Sequence, residues 1–334
     1  MRYSASVGLA LALQAMLLAS SATAQQAQWP MGRVIGDACT RSVTLPAPAP
    51  GAARGPGSGG GFPASPVSAG DEEPTQLVRV SDDVYAIINV NHAVLPDIPL
   101  YGGNVAVYLT DDGVVLVDAK TEGMHDDLVA KVRSLTDQPI KYVVLTHNHA
   151  DHSGGAARLQ ALGATVVGSA ANRSRMAAAG QAGLSELSYQ GHAQIALGTK
   201  RVELLEFCGH TSGDTVVYLP DARVVVSGDL VTTPASIPQV TNYADGGTWT
   251  DMVQSLDALA TLDFDFMIAG HGPVLTKQQF LEHRDRIAAI HTRAQELVRA
   301  GASASEIAAT LIEELDWGSG FAAGNIPGMI AELE

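Results

Sequence analysis

From Leu77 onward, short apolar runs alternate with turn residues, the pattern of strands that bury at least one face. Strands are predicted at Val84–Val90, Asn104–Leu109 and Val114–Val117, with Asp111-Asp112-Gly113 as the hairpin turn joining the last two. The period then changes. Over residues 123–135, Leu128, Val129, Val132 and Leu135 recur at helical spacing. Further strands are predicted at Tyr142–Leu145, Thr165–Gly168, Val202–Phe207, Thr215–Leu219, Arg223–Val226 and Phe266–Ala269, and helices at Gly155–Leu162 and Ala170–Ala179. After Pro273 the spacing is helical to the end, over Lys277–Ala300 and Ser303–Leu315, with Gly301 as the break. Strands dominate, and helices fall between pairs of them rather than after each one. That order favours an α/β chain of two sheets with helices on the outer faces, an αββα layering, over a regular βαβ alternation. The terminal helices, residues 276–334, are expected to pack on the domain, a partner subunit being the alternative surface for them.

The first 24 residues break this pattern. Arg2 precedes an apolar stretch, Val7–Ala19, and Ala22-Thr23-Ala24 supplies small residues of the kind a signal peptidase cleaves. The stretch is short of the about 20 residues that span a bilayer, so a cleaved signal peptide and an exported, periplasmic protein are expected rather than a membrane anchor. No other stretch is long and apolar enough for stable membrane insertion. Residues 25–75 are rich in Pro and Gly, including Gly59-Gly60-Gly61, and read as a flexible segment, with the folded domain over residues 76–275.

Composition narrows the function classes. With 46% hydrophobic residues the 334-residue chain has ample apolar surface to bury, which excludes disorder as a whole. Its 35 acidic against 20 basic residues leave a net charge of -15, which argues against nucleic acid as a partner and for a small-molecule substrate. Two cysteines are too few for a disulfide scaffold; export would permit a Cys39–Cys208 bond, with two free thiols as the alternative.

Residues 146–155 read Thr-His-Asn-His-Ala-Asp-His-Ser-Gly-Gly, directly after the strand Tyr142–Leu145. Two histidines one residue apart can point the same way from an extended loop, so His147 and His149 can share one cation. Asp151 and His152 fall across the next turn, where a second cation is in reach. Imidazole with carboxylate suits zinc, and also iron or manganese. Three further sites repeat the placement: Gly209-His210-Thr211, Gly228-Asp229 and Gly270-His271-Gly272 each follow a predicted strand. Binding sites gather at the carboxyl ends of strands, and glycines let the chain turn tightly there. Two cations about 3.5–4 Å apart can hold a bridging hydroxide and polarise a carbonyl or phosphoryl group, with no serine nucleophile required. Asp151 would orient that hydroxide and assist proton delivery to the leaving group.

The order THNHADH, GHT, GD, GHG resembles the metallo-β-lactamase superfamily, over about residues 76–275. The resemblance implies a four-layer αββα hydrolase with two divalent metal ions, zinc first among them. It places His147, His149 and His210 on one ion, Asp151, His152 and His271 on the other, and Asp229 between them. Asp118 matches the family's early acidic position, a buried support for the metal loop. There the family commonly continues Thr-Gly, whereas this chain has Ala119-Lys120. Asp118 and Asp214 are candidates to fix histidine tautomers. A Cys or Ser stands near the place of Asp229 in typical zinc β-lactamases, so the Asp favours the branch acting on esters, thioesters or lactones. β-Lactam cleavage is the alternative, and a metal-binding protein without turnover is a second. Loops 91–103, with His92 and Tyr101, and 232–249, with Tyr243, are expected to frame the substrate pocket. His125, His192, His283 and His291 lack such motifs and read as ordinary surface or helix residues.

Overall fold

Period-two alternation decides where each strand side chain goes. A computed structural model of the chain describes Val43 and residues 73–90, 98–233, 238–318 and 320–334. Among these residues thirteen strands form two sheets, one of seven strands in the order β1 to β7 and one of six in the order β13-β12-β11-β10-β9-β8. The first comprises β1 (Thr75–Arg79), β2 (Val84–Asn89), β3 (Val105–Thr110), β4 (Gly113–Val117), β5 (Ile140–Val144), β6 (Thr165–Ser169) and β7 (Leu187–Tyr189). The second comprises β8 (His192–Leu197), β9 (Lys200–Phe207), β10 (Asp214–Leu219), β11 (Val224–Thr232), β12 (Phe266–His271) and β13 (Leu275–Thr276).

Along β3 and β4, Ala106, Tyr108, Val115 and Val117 point between the sheets, where they meet Val202 and Leu204 of β9 and Val217 and Leu219 of β10. Their alternate neighbours Val105, Val107, Val114 and Leu116 face outward onto Leu128 and Val132 of the helix His125–Leu135 and Leu159 of the helix Ala156–Ala161. On the far side, Leu205, Phe207, Val216 and Val225 face Trp249, Met252, Leu256, Ile287 and Ile290. The layering is αββα, as the order of elements implied. The long helix Lys277–Arg299 and the helix Ala304–Leu315 begin with capping boxes, Thr276 with Gln279 and Ser303 with Glu306. Both pack with the final helix Ile326–Leu333 on the six-stranded sheet. No helix among the described residues is long and apolar enough to cross a membrane.

Several elements differ from the sequence-based expectations. The helix Trp249–Ala260 was not anticipated, although Trp249, Met252, Leu256 and Leu259 recur at helical spacing and are all buried. The strands β1, β7, β8 and β13 also escaped the reading, because they are short or at sheet edges with an exposed face. β1 begins at Thr75, one residue inside the segment read as flexible. Gly228 does not end a strand: β11 bulges there, with φ of 52°, and continues to Thr232. His125, His283 and His291 lie on helices as expected, but all three are buried. The segment read as a signal peptide, His92 and Cys39 lie outside the described residues, as does nearly all of the Pro/Gly-rich segment. Cys208 is disulfide-bonded.

The packing contrast is testable by denaturant unfolding. Leu116 is fully buried and Leu162 is 56% exposed. Leu116→Ala is expected to lower stability by about 2–5 kcal/mol and Leu162→Ala by less than about 0.5 kcal/mol.

Candidate metal centre

All the motif residues arrive at one edge of the sandwich. Asp118 follows β4, residues 146–149 follow β5, His210 follows β9, Asp229 rides the bulge of β11, and His271 is the last residue of β12. Two sheets packed face to face bring these strand ends together, although they are up to 153 residues apart in sequence, from Asp118 to His271. The sheets are joined at this edge by Asn104, whose backbone N–H donates to Gly270 O at 2.7 Å and whose Nδ2 donates to Ala269 O at 2.9 Å and Gly272 O at 2.8 Å. Gly270 is required by close approach, since a Cβ there would lie 2.0 Å from Asp229 Oδ1.

Seven side chains form two groups that share Asp229. His147, His149, His210 and Asp229 make one, and Asp151, His152, Asp229 and His271 the other; within each group the donor atoms lie within 4.8 Å of one another. Asp229 turns one oxygen to each. Its Oδ2 lies 3.6 Å from His210 Nε2 and 3.9 Å from His147 Nε2, and its Oδ1 lies 3.1 Å from His152 Nε2 and 3.4 Å from His271 Nε2. Asp151 Oδ2 stands 3.2 Å from His271 Nε2 and 3.5 Å from His152 Nε2. Every residue that the motifs singled out as a ligand is therefore in one of the two groups.

The hydrogen bonds behind the rings set which nitrogen faces inward. Val240 O can only accept, so His210 Nδ1, 3.0 Å away, carries the proton and Nε2 keeps its lone pair. Thr146 Oγ1 donates to Asp118 Oδ2 at 2.8 Å and so accepts from His147 Nδ1 at 3.0 Å. His149 Nε2 faces Asn242 Nδ2 at 2.8 Å and Asp245 Oδ2 at 3.1 Å, which leaves His149 Nδ1 turned inward, 3.0 Å from His210 Nε2. Asp118 Oδ2 does the same for His152 at 2.7 Å on Nδ1. Lone pairs facing one another at such distances repel unless a proton or cation lies between them. His147 Nε2 is buried without a hydrogen-bond partner. An orphaned, inward-facing imidazole nitrogen beside carboxylate oxygens fits a divalent cation, so each group could hold a metal ion.

The electrostatics agree with that chemistry. Burial, reinforced by His152 and His149, holds the His147 ring well below the ordinary histidine range, and burial brings His210 down to about 4. Both are neutral at pH 7, the form that binds a metal. Burial alone would raise Asp151 and Asp229, but the neighbouring His152 and His271 outweigh it, taking Asp151 to about 2 and Asp229 well below the usual carboxylate range. Burial likewise pulls on His152 and His271, yet Asp229 and the other carboxylates raise His152 well above its ordinary range and His271 to about 8.

Of the two proposed supporting carboxylates, only Asp118 touches a ring. Asp214 instead accepts the backbone N–H of His210 at 2.9 Å and of Thr211 at 3.0 Å, holding the loop rather than a tautomer, and burial raises it to about 7. Sequence reading missed Asp245 and Asn242, which back His149 from 96 and 93 residues away, and Val240, which backs His210 from 30 residues away, because no local spacing marks them. It placed Tyr243 at the pocket, but that side chain is buried, with its hydroxyl donating to Glu332 Oε2 at 2.9 Å.

The Ala119-Lys120 departure has a structural answer. Lys120 adopts a φ of 57°, the left-handed conformation for which the family's glycine is suited. Its fully buried ammonium donates to Asn89 Oδ1 at 2.9 Å and Gly103 O at 2.8 Å. Gly103 lies against His152, where a Cβ would meet the ring at 2.2 Å, so Lys120 pins the strap that covers this ligand.

Residues 98–271 match the sequence profile of the family described as the Metallo-beta-lactamase superfamily. A hydroxyacylglutathione hydrolase of Acidiphilium cryptum (strain JF-5) is 32% identical over 180 residues, 53% of this chain and 69% of that protein. A linear primary-alkylsulfatase of Pseudomonas sp. (strain ATCC 19151) is 24% identical over 253 residues, 59% of this chain; the chain spans 47% of the length of that relative. Among solved structures, a metallo-beta-lactamase from Pontibacter korlensis superposes with a TM-score of 0.55 and 21% identity, over 64% of this chain and 99% of that one, a likeness of fold.

Lys120 gives a pH test. Burial lowers its ammonium from 10.5 to about 7, against the opposing pull of Asp127. Between those values the unfolded chain binds more protons at this group, so its contribution makes stability rise with pH across that window, by up to ~1.4 kcal/mol per pH unit. Unfolding followed from pH 7 to 10 is expected to show a shallower rise in Lys120→Met; an unchanged slope would mean that Lys120 is not held in this way.

Proposed function

The chain belongs to the metallo-beta-lactamase superfamily of metal-dependent hydrolases, and we propose that it is an exported, two-metal member that cleaves an ester, thioester or lactone-type bond in a small molecule. The observation that carries this reading is Asp229, with Oδ2 turned to the His147, His149 and His210 group and Oδ1 to the Asp151, His152 and His271 group. A carboxylate in that place suits a bridging role, whereas typical zinc β-lactamases have Cys or Ser near it. The hydroxyacylglutathione hydrolase among the relatives supports an acylated thiol as one substrate class.

Divalent ions bound here would supply Lewis acidity and bring the pKa of water toward about 7. The chain's own residues supply the rest. His147 and His210 present lone pairs from rings whose tautomers are set by Thr146 and Val240, and His149 turns Nδ1 inward from a ring held at Nε2 by Asp245 and Asn242. Asp151 is held ionised, so it accepts a hydrogen bond from the attacking water and orients it. Asp118, bonded to both Thr146 and His152, ties the supports of the two groups together. Export is proposed from residues 1–24, and N-terminal sequencing of periplasmic protein is expected to begin at Gln25.

Metal content and hydrolysis measured on one sample of purified protein test the reading. Two equivalents of divalent metal are expected, with turnover of a thioester or lactone that Asp151→Asn lowers by about 100-fold or more. Turnover confined to a chromogenic cephalosporin would assign β-lactam cleavage instead. Two metals with no turnover would make this a binding protein, and less than one equivalent would overturn the metal centre itself.

A further inference from the structure

The C-terminal helices reach the metal centre through one intervening segment. Residues 239–249 lie between the first ligand group and the chain's last 18 residues, and both faces of the segment are bonded. Toward the ligands, Gln239 Nε2 donates to Asp229 O at 2.8 Å, Val240 O accepts from His210 Nδ1, and Asn242 N donates to His210 O at 2.8 Å. Asn242 Nδ2 and Asp245 Oδ2 meet His149 Nε2 at 2.8 and 3.1 Å.

Away from the ligands, the same segment is gripped by the C-terminal residues. Trp317 Nε1 donates to Gln239 O at 2.9 Å. Asn325 takes the Thr241 N–H on Oδ1 at 2.7 Å and returns an Nδ2 bond to Thr241 O at 2.9 Å, as a neighbouring strand would. Glu332 accepts the Tyr243 hydroxyl and the Trp249 N–H at 2.9 Å and the Thr250 N–H at 2.7 Å, which places a carboxylate at the N-terminus of the helix Trp249–Ala260. Gly328 rests on the Tyr243 ring so closely that a Cβ would come within 2.3 Å of it. The second group is held by other residues, through Asp118 on His152 and Asn104 on the turn around His271.

We propose that Trp317, Asn325 and Glu332 form a clamp of positioning residues for the first ligand group, so that metal affinity at His147, His149, His210 and Asp229 depends on the C-terminal helices far more than affinity at the second group, of which the clamped segment touches only the shared Asp229. This rests on the two-metal reading. The physical reason is orientation: a ring whose backing acceptor moves loses its fixed tautomer and aim, and loss of such outer partners typically weakens metal binding about 10–100-fold.

The test titrates metal-free protein with zinc and with cobalt, whose absorption bands report each site, for wild type, Asn325→Ala, Glu332→Ala and Glu332→Gln, with Ile312→Ala as an exposed control. Amide hydrogen exchange of residues 239–247 is followed in the same metal-free samples. One of two equivalents is expected to weaken tenfold or more in Asn325→Ala and Glu332→Ala, less in Glu332→Gln, and not in Ile312→Ala. Exchange at Asn242 and Gly247 is expected to rise in the same order. Equal weakening of both equivalents, or unchanged affinity with unchanged exchange, overturns the clamp. Should wild type bind fewer than two equivalents, the two-metal reading fails by itself, and unchanged exchange at Asn242 and Gly247 would still overturn the clamp. If Glu332→Ala does not fold, Glu332→Gln and Asn325→Ala carry the decision.

Discussion

Crowding of like groups at one buried edge is the constraint on which the rest depends. His147, His152, His210 and His271 turn nitrogens toward Asp151 and Asp229 at separations of 3.1 to 3.9 Å, and His149 Nδ1 faces His210 Nε2 at 3.0 Å. Burying two carboxylates is costly unless positive charge balances them, and burying facing lone pairs is costly unless a proton or cation separates them. Cations resolve both costs at once. The protein thus stores at this edge an arrangement that its own side chains satisfy poorly, which is what a metal-binding site requires.

Holding such groups together takes a rigid frame, and two separate frames do so. On the seven-stranded sheet, Asp118 joins Thr146 to His152, and Lys120 fixes the strap over His152. The family's glycine turn is here replaced by a lysine in the same left-handed conformation, whose buried ammonium satisfies carbonyl and amide oxygens that a glycine would leave to other partners. On the six-stranded sheet, residues 239–249 back His149 and His210 and are themselves backed by the terminal helices. The helices after β13 are thus part of the architecture of the site as well as of the core.

Much of this was legible in the chain. Short apolar runs bounded by turn residues located β3, β4, β9 and β10, because a strand buried on both faces reads as a nearly continuous apolar run, whereas the layer each side chain enters was set by the packing. The ligand motifs were legible because metal chemistry tolerates few residue types and strand ends offer few places for them. The short edge strands were not, since strands with one exposed face give weak signals, and helix 249–260 went unread despite its helical spacing because it follows an irregular stretch. Tyr243 shows the same limit: an aromatic residue in a polar loop reads as exposed until Gly328 and Glu332 are brought over it.

The sequence by itself determined the layer order, the family resemblance and the seven candidate ligands, all of which depend on residue type and local spacing. Only the tertiary structure decided which side chains stand behind those ligands. Asp245 and Asn242 reach His149 across more than ninety positions, and Asn325 and Glu332 reach the same loop across more than eighty. Hydrogen bonds at such separations leave no periodicity in the chain, because their geometry exists only after the two sheets and their covering helices have packed.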